Sequence, residues 1–82
     1  MPQYTILLFG PAAAAVNLNR VVIDSAGLCS ADQLKDLISQ QFPPLDVYLQ
    51  AGRLAVNQSF IASDTTICTD DEIALITMVS GG

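Results

Sequence analysis

The residues best placed to do chemistry stand at the end of the chain. Val79-Ser80-Gly81-Gly82 follows directly on the apolar run Glu72 to Met78. Terminal residues without side chains can pass through a narrow tunnel in almost any backbone conformation, which leaves the Gly82 carboxylate as the group able to react. Diglycine ends also arise as tag scars and frayed termini, so the pair gains meaning only from its surroundings. Here the sequence stops at Gly82 without a further polar stretch.

Other reactive groups are few. Asp70, Asp71 and Glu72 form an acidic run that suggests a carboxylate dyad or a cation site. Its spacing matches no EF-hand loop, and Asp enters turns readily, so a solvated turn is the expectation. Cys29 and Cys68 lie far apart, with no CxxC pair and no histidine in the chain, which excludes a zinc site of ordinary type. Two reduced, partly buried thiols are expected, because free Cys is commonly found inside, a disulfide needs an oxidising compartment and an iron–sulfur cluster needs four cysteines. Arg53, in a turn, reads as surface rather than as a phosphate ligand. The chain holds no Ser/His or Cys/His pair and no glycine-rich phosphate loop, so general acid and base groups must come from elsewhere.

Size and composition agree with that. At 82 residues the chain makes a single domain over 1–82, with no room for a second lobe and an intervening cleft. Chemistry must then sit on a surface, on a tail (residues 79–82, read as flexible) or in a partner's pocket. Apolar residues make up 51% and charged ones 13%, the composition of a folded domain with apolar surface to spare. The net charge of −5 argues against nucleic acid and for a basic partner. Tyr4 to Phe9 is too short to cross a membrane and lacks the flanks of a signal peptide, so the expected location is cytoplasmic, away from membranes.

Four or five strands and one main helix must position the tail. Gln3 to Phe9 is rich in branched and aromatic residues and reads as a buried strand ending at Gly10-Pro11. Ala12 to Val16 is either a helical turn or a loop. Leu18 to Ile23 reads as a second strand, followed by a turn at Asp24 to Gly27. Ser30 and Gln33 have the spacing of a capping box, and Leu34, Leu37, Ile38 and Phe42 then mark one apolar helix stripe until Pro43-Pro44. Leu45 to Gln50 reads as extended, Ala51 to Arg53 as a turn, Leu54 to Asn57 as a strand, and Phe60-Ile61 as a short one. Ile67 forms an apolar plug between polar turns, and Glu72 to Met78 is the last strand.

Strand, strand, helix, strand, short strand, strand is the order of an α+β domain of the β-grasp, ubiquitin-like type, a mixed sheet with the helix on one face. Both parities of the first and last strands are apolar, so a single helix leaves the second face partly uncovered. Either loops and the Ala12 to Val16 segment fold over it, or it is an interface beside the tail, with Phe9, Phe60, Ile76 and Met78 as its members.

Leu54-Ala55-Val56-Asn57-Gln58, the spacing to Asp71-Glu72-Ile73-Ala74, and the ending Val79-Ser80-Gly81-Gly82 resemble the small subunits of molybdopterin synthase. The similarity spans essentially the whole chain. The V-[ST]-G-G ending is the most specific part, and L-A-V-N is shared with other sulfur carriers. The chain departs from the family at Thr77-Met78, where prolines are common, and at Pro11 to Val16, where an Arg-bearing segment is common.

The resemblance implies a carrier with no bound cofactor. An E1-like activating enzyme uses ATP to adenylate Gly82, and a sulfur donor converts the acyl-adenylate to a thiocarboxylate. The tail, with Val79, Ser80 and Gly81 guiding its passage, then enters the large catalytic subunit of a heterotetramer and gives sulfur to a cyclic pyranopterin precursor of the molybdenum cofactor. The same tail chemistry would serve a ubiquitin-like modifier or a carrier for tRNA thiolation or thiazole synthesis, whereas a pure interaction module would use only the apolar patch.

Overall fold

A computed structural model describes residues 2–77 of the chain. The first strand, β1 (Gln3–Leu8), buries Tyr4, Ile6 and Leu8 and turns Thr5 and Leu7 outwards. Phe9 stays extended but serves as N-cap of a helix, α1 (Gly10–Val16), whose Pro11 sits in the first turn where its missing N–H costs nothing. Thus the Ala12 to Val16 segment is helical; Asn17 closes it in the left-handed region at φ 58°. That cap delays the second strand, β2 (Arg20–Asp24), by two residues against the expected Leu18 start, and Leu18 is exposed.

A short strand, β3 (Cys29–Ser30), leads into α2 (Ala31–Gln41). The capping box is formed: Gln33 N–H donates to Ser30 Oγ at 3.3 Å, and Ser30 N–H donates to Gln33 Oε1 at 3.0 Å. Leu34 and Ile38 are fully buried and Ala31 is buried beside them, with Leu37 and Phe42 packed against the same cluster.

Leu45 to Gln50 is not extended. A 3₁₀ turn (Pro43–Leu45) runs into a helix, α3 (Asp46–Ala51), that buries Leu45 and Leu49. Pro43 and Pro44 end one helix and begin the next, because a ring that fixes φ suits a first helical turn as well as it blocks an interior. Gly52 and Arg53, expected in a turn, belong instead to β4 (Gly52–Val56). Glycine is required there by close approach: a Cβ on Gly52 would overlap the Ile76 carbonyl and lie 2.8 Å from the Tyr48 carbonyl. Asn57 and Gln58, at φ 52° and 68°, make a two-residue hairpin turn to β5 (Ser59–Phe60). Ile67 is indeed a plug, fully buried, and it also forms a strand, β6 (Thr66–Ile67), paired with β3. The last strand is β7 (Ile73–Thr77), and Met78 lies outside the described residues.

The main sheet has the order β2-β1-β7-β4-β5. β1 and β7 are parallel neighbours at its centre, and the other pairs are antiparallel. One face carries a single core in which Tyr4, Ile6, Ile23, Ile73 and Leu75 meet Leu34 and Ile38 of α2. This is the mixed sheet with one main helix expected of a β-grasp domain, with α1 and α3 as short additions.

Candidate functional site

Strand β7 delivers the chain towards its end. It is hydrogen-bonded on both sides, and its last described residue, Thr77, stands opposite Gly52. A central strand held by two neighbours is a rigid base for whatever follows it. Val79, Ser80, Gly81 and Gly82 lie outside the described residues, as does Met78.

The face of the sheet away from α2 has a definite register. Leu7 is paired with Arg20 and Ala74, Ala74 with Ala55, and Ala55 with Phe60, so one row crosses all five strands. Two alanines in its middle leave a depression, which a groove of about 380 Å³ occupies. Phe9 and Phe60 wall the groove, with Ile76 and Glu72 on its lining. Helix α1 does not fold over it: Ala12 is buried in the core cluster, and Phe9 and Phe60 stay 54% and 52% exposed. Phe9, Phe60 and Ile76, expected as one patch, are therefore brought together. In the parallel register Leu8 stands opposite Leu75, which sets Phe9 and Ile76 at the end where β7 runs out.

The sequence reading missed two features of this surface. Ala55 and Ala74 form the floor, for which the only signal is that both sit at outward parity on their strands. Arg53 lies with its guanidinium 5.4 Å from the centroid of the Phe60 ring, a cation–π contact that steadies a wall of the groove. No local pattern announces that pair.

The acidic run is a turn, as expected. Asp71 accepts hydrogen bonds from Asn57 Nδ2 at 3.1 Å and from the Cys68 N–H at 2.9 Å. Asn57 in turn accepts from the Glu72 N–H at 3.0 Å and donates its own N–H to the Glu72 carbonyl at 2.7 Å. Both residues are engaged in tying the β4–β5 hairpin to the start of β7. Among the described residues no group of three or more His, Cys, Asp or Glu side chains could hold a metal ion.

The thiols differ from each other. Cys29 is buried, with Sγ 3.1 Å from Ser25 Oγ, whereas Cys68 is exposed and not partly buried as expected. Buried beside Cys29, the Tyr4 hydroxyl is pushed above its ordinary pKa, chiefly because burial disfavours the phenolate. No helix among the described residues is long and apolar enough to cross a membrane.

Comparison with known proteins reaches the same architecture. The chain is 33% identical to the molybdopterin synthase sulfur carrier subunit of Dictyostelium discoideum, across 98% of this chain and 96% of that one. SAMP1 from Haloferax volcanii has the same fold, with a TM-score of 0.82 at 22% identity over 98% of this chain and 99% of its own. Subunit 1 or 2 in the molybdopterin-converting factor complex of Helicobacter pylori superposes with a TM-score of 0.67 at 23% identity, covering 98% of this chain and 99% of that one. Residues 6–82 match the ThiS family. The chain is therefore a member of the ThiS family, a ubiquitin-like β-grasp protein of the kind that includes the small subunits of molybdopterin synthase.

Proposed function

We propose that this protein is the sulfur carrier subunit of molybdopterin synthase and that Gly82 is its working residue. The carboxylate of Gly82 attacks the α-phosphate of ATP on an E1-like activating enzyme, forming an acyl-adenylate and releasing pyrophosphate. A sulfur donor then displaces AMP and leaves a thiocarboxylate. Activation is needed because a free carboxylate is a poor electrophile and AMP is a good leaving group. The thiocarboxylate stays ionised at neutral pH and gives its sulfur to a cyclic pyranopterin precursor inside the large catalytic subunit.

One observation carries this reading: the rigid central strand β7 ends beside an exposed apolar groove walled by Phe9 and Phe60. A larger protein can grip that groove and draw in the residues that follow. The match to the ThiS family continues through residue 82, and the Helicobacter pylori structure is a complex of subunits 1 and 2, which supports a large subunit as the gripping protein. The chain itself then needs no catalytic acid or base, in keeping with a subunit that is not an enzyme alone.

Incubation with the activating enzyme, ATP and a sulfur donor tests the proposal by intact mass. A gain equal to exchanging oxygen for sulfur at the C-terminus is expected, and a chain lacking Gly81 and Gly82 should fold but gain nothing. The likeness to SAMP1, a small archaeal modifier protein, favours a ubiquitin-like modifier as the second reading. An isopeptide between Gly82 and lysines of other proteins, with no sulfur passed to the large subunit, would decide for it.

A further inference from the structure

The chain has three basic side chains in all, and two of them, Lys35 and Arg53, line a single cleft of about 430 Å³ between the first turns of α2 and the β4–β5 edge. The third, Arg20, is on β2 at the opposite edge of the sheet. Of the eight acidic residues only Asp32 lines the cleft, so in a domain of net charge −5 its lining carries two basic side chains to one acidic, with Lys35 also facing Asp36 and Asp46 in a neighbouring cleft. Leu54, Phe60 and Ile61 give it an apolar floor.

Phe60 belongs to both this cleft and the apolar groove. Arg53 lines the cleft and holds its guanidinium carbon 5.4 Å from the centre of that shared Phe60 ring. A guanidinium carries its N–H groups in a fixed planar fork whose geometry matches a carboxylate.

We propose that the Lys35–Arg53 cleft receives an acidic segment of the large subunit, an Asp or Glu reaching over Phe60 from apolar residues seated in the groove. This rests on the carrier reading and adds the chemistry of the partner to it. The negative domain as a whole draws a basic partner, and a contact of reversed sign at one edge fixes its orientation, because complementary charge patterns set register and suppress wrong dockings.

Titration calorimetry of the full chain with the large subunit, repeated over a salt series, tests the cleft. Arg53→Glu and Lys35→Glu should each weaken binding by roughly three- to tenfold at low salt, with the loss shrinking as salt screens the contact. Arg53→Gln should fall between Arg53→Glu and wild type. Arg20→Glu changes net charge by the same amount away from the cleft and should weaken binding less than about twofold on the same reasoning. Circular dichroism of each variant checks that the fold is kept.

Cleft variants that bind like wild type would overturn this inference and leave the carrier reading standing. Equal losses for Arg20→Glu and the cleft variants would also overturn it, by showing an effect of net charge alone. Phosphate binding that Arg53→Glu abolishes, with no effect of phosphate on affinity for the large subunit at constant ionic strength, would make the cleft a small-anion site instead. Failure of the wild-type chain to bind would remove the carrier reading and this inference with it.

Discussion

The hydroxyl of Tyr4 accepts a hydrogen bond from the Cys29 N–H at 2.9 Å while donating its own proton to the Ile67 carbonyl at 2.7 Å. One side chain of β1 thereby ties the main sheet to both strands of the small one, β3 and β6. Tyr4→Phe leaves a buried donor and a buried acceptor without that partner, at a cost of about 1–3 kcal/mol. Urea denaturation should show it as a lower midpoint with an unchanged slope; a loss below about 0.5 kcal/mol would mean that water or a shifted backbone satisfies both groups.

The same hydroxyl gives the fold an alkaline limit. Its folded pKa is raised above the ordinary 10.0, so between the two values the unfolded chain has lost a proton that the folded chain keeps. Stability from this group is full below pH 10.0 and declines as pH rises from there through the folded value. Wild type should lose stability above that pH more steeply than Tyr4→Phe, measured by denaturant midpoints on a pH series; parallel curves would show that Tyr4 does not govern the limb.

Gly52→Ala should be costly although glycine has no unusual dihedral there. The added Cβ meets the carbonyls of Ile76 and Tyr48, backbone atoms that cannot rotate away. Separating β4 from β7 by that much should cost about 1–3 kcal/mol, as overpacking does elsewhere. Thermal melts check it, and faster amide exchange at Ile76 and Thr77 should accompany the loss.

The Asn57–Asp71 pair offers a way to retire the acidic run as a catalytic site. Asn57→Gly keeps the positive φ but loses the side-chain bonds to Asp71 and Glu72, and should cost about 1 kcal/mol; Asn57→Ala adds backbone strain and should cost more. Asp71→Ala should destabilise similarly while leaving the rate of tail loading, at a temperature where the variant is folded, close to wild type. A collapse of loading in folded Asp71→Ala would give that carboxylate a chemical role.

Phe9→Ala and Phe60→Ala should separate binding from folding. Both side chains are more than half exposed, so unfolding free energies should stay within about 0.5 kcal/mol of wild type. Affinity for the large subunit should fall by about 1–2 kcal/mol each, as for aromatic anchors near the centre of an interface. Calorimetry and urea denaturation on the same preparations decide between this and a merely structural role.

Much of this molecule is written locally. The start of α2 follows from Ser30 and Gln33, whose mutual bonds involve residues three apart, and its inner face from the spacing of Leu34 and Ile38. Outward apolar residues on β1 and β7 follow from the alternation of a pleated strand, and the absence of catalytic pairs from composition. Such signals act within a turn or two of the chain, so the sequence alone determined them. Only the tertiary structure decided that Pro43-Pro44 joins two helices, because proline permits a stop and a start equally and the burial of Leu45 and Leu49 chose. It also decided that Gly52 belongs to a strand, that Cys29 is buried while Cys68 is not, and that Phe9 and Phe60 wall one groove along β7 with Arg53 against the Phe60 ring. Those outcomes depend on strand register between segments distant in sequence, and register is set by the packing of the whole sheet rather than by any residue's neighbours.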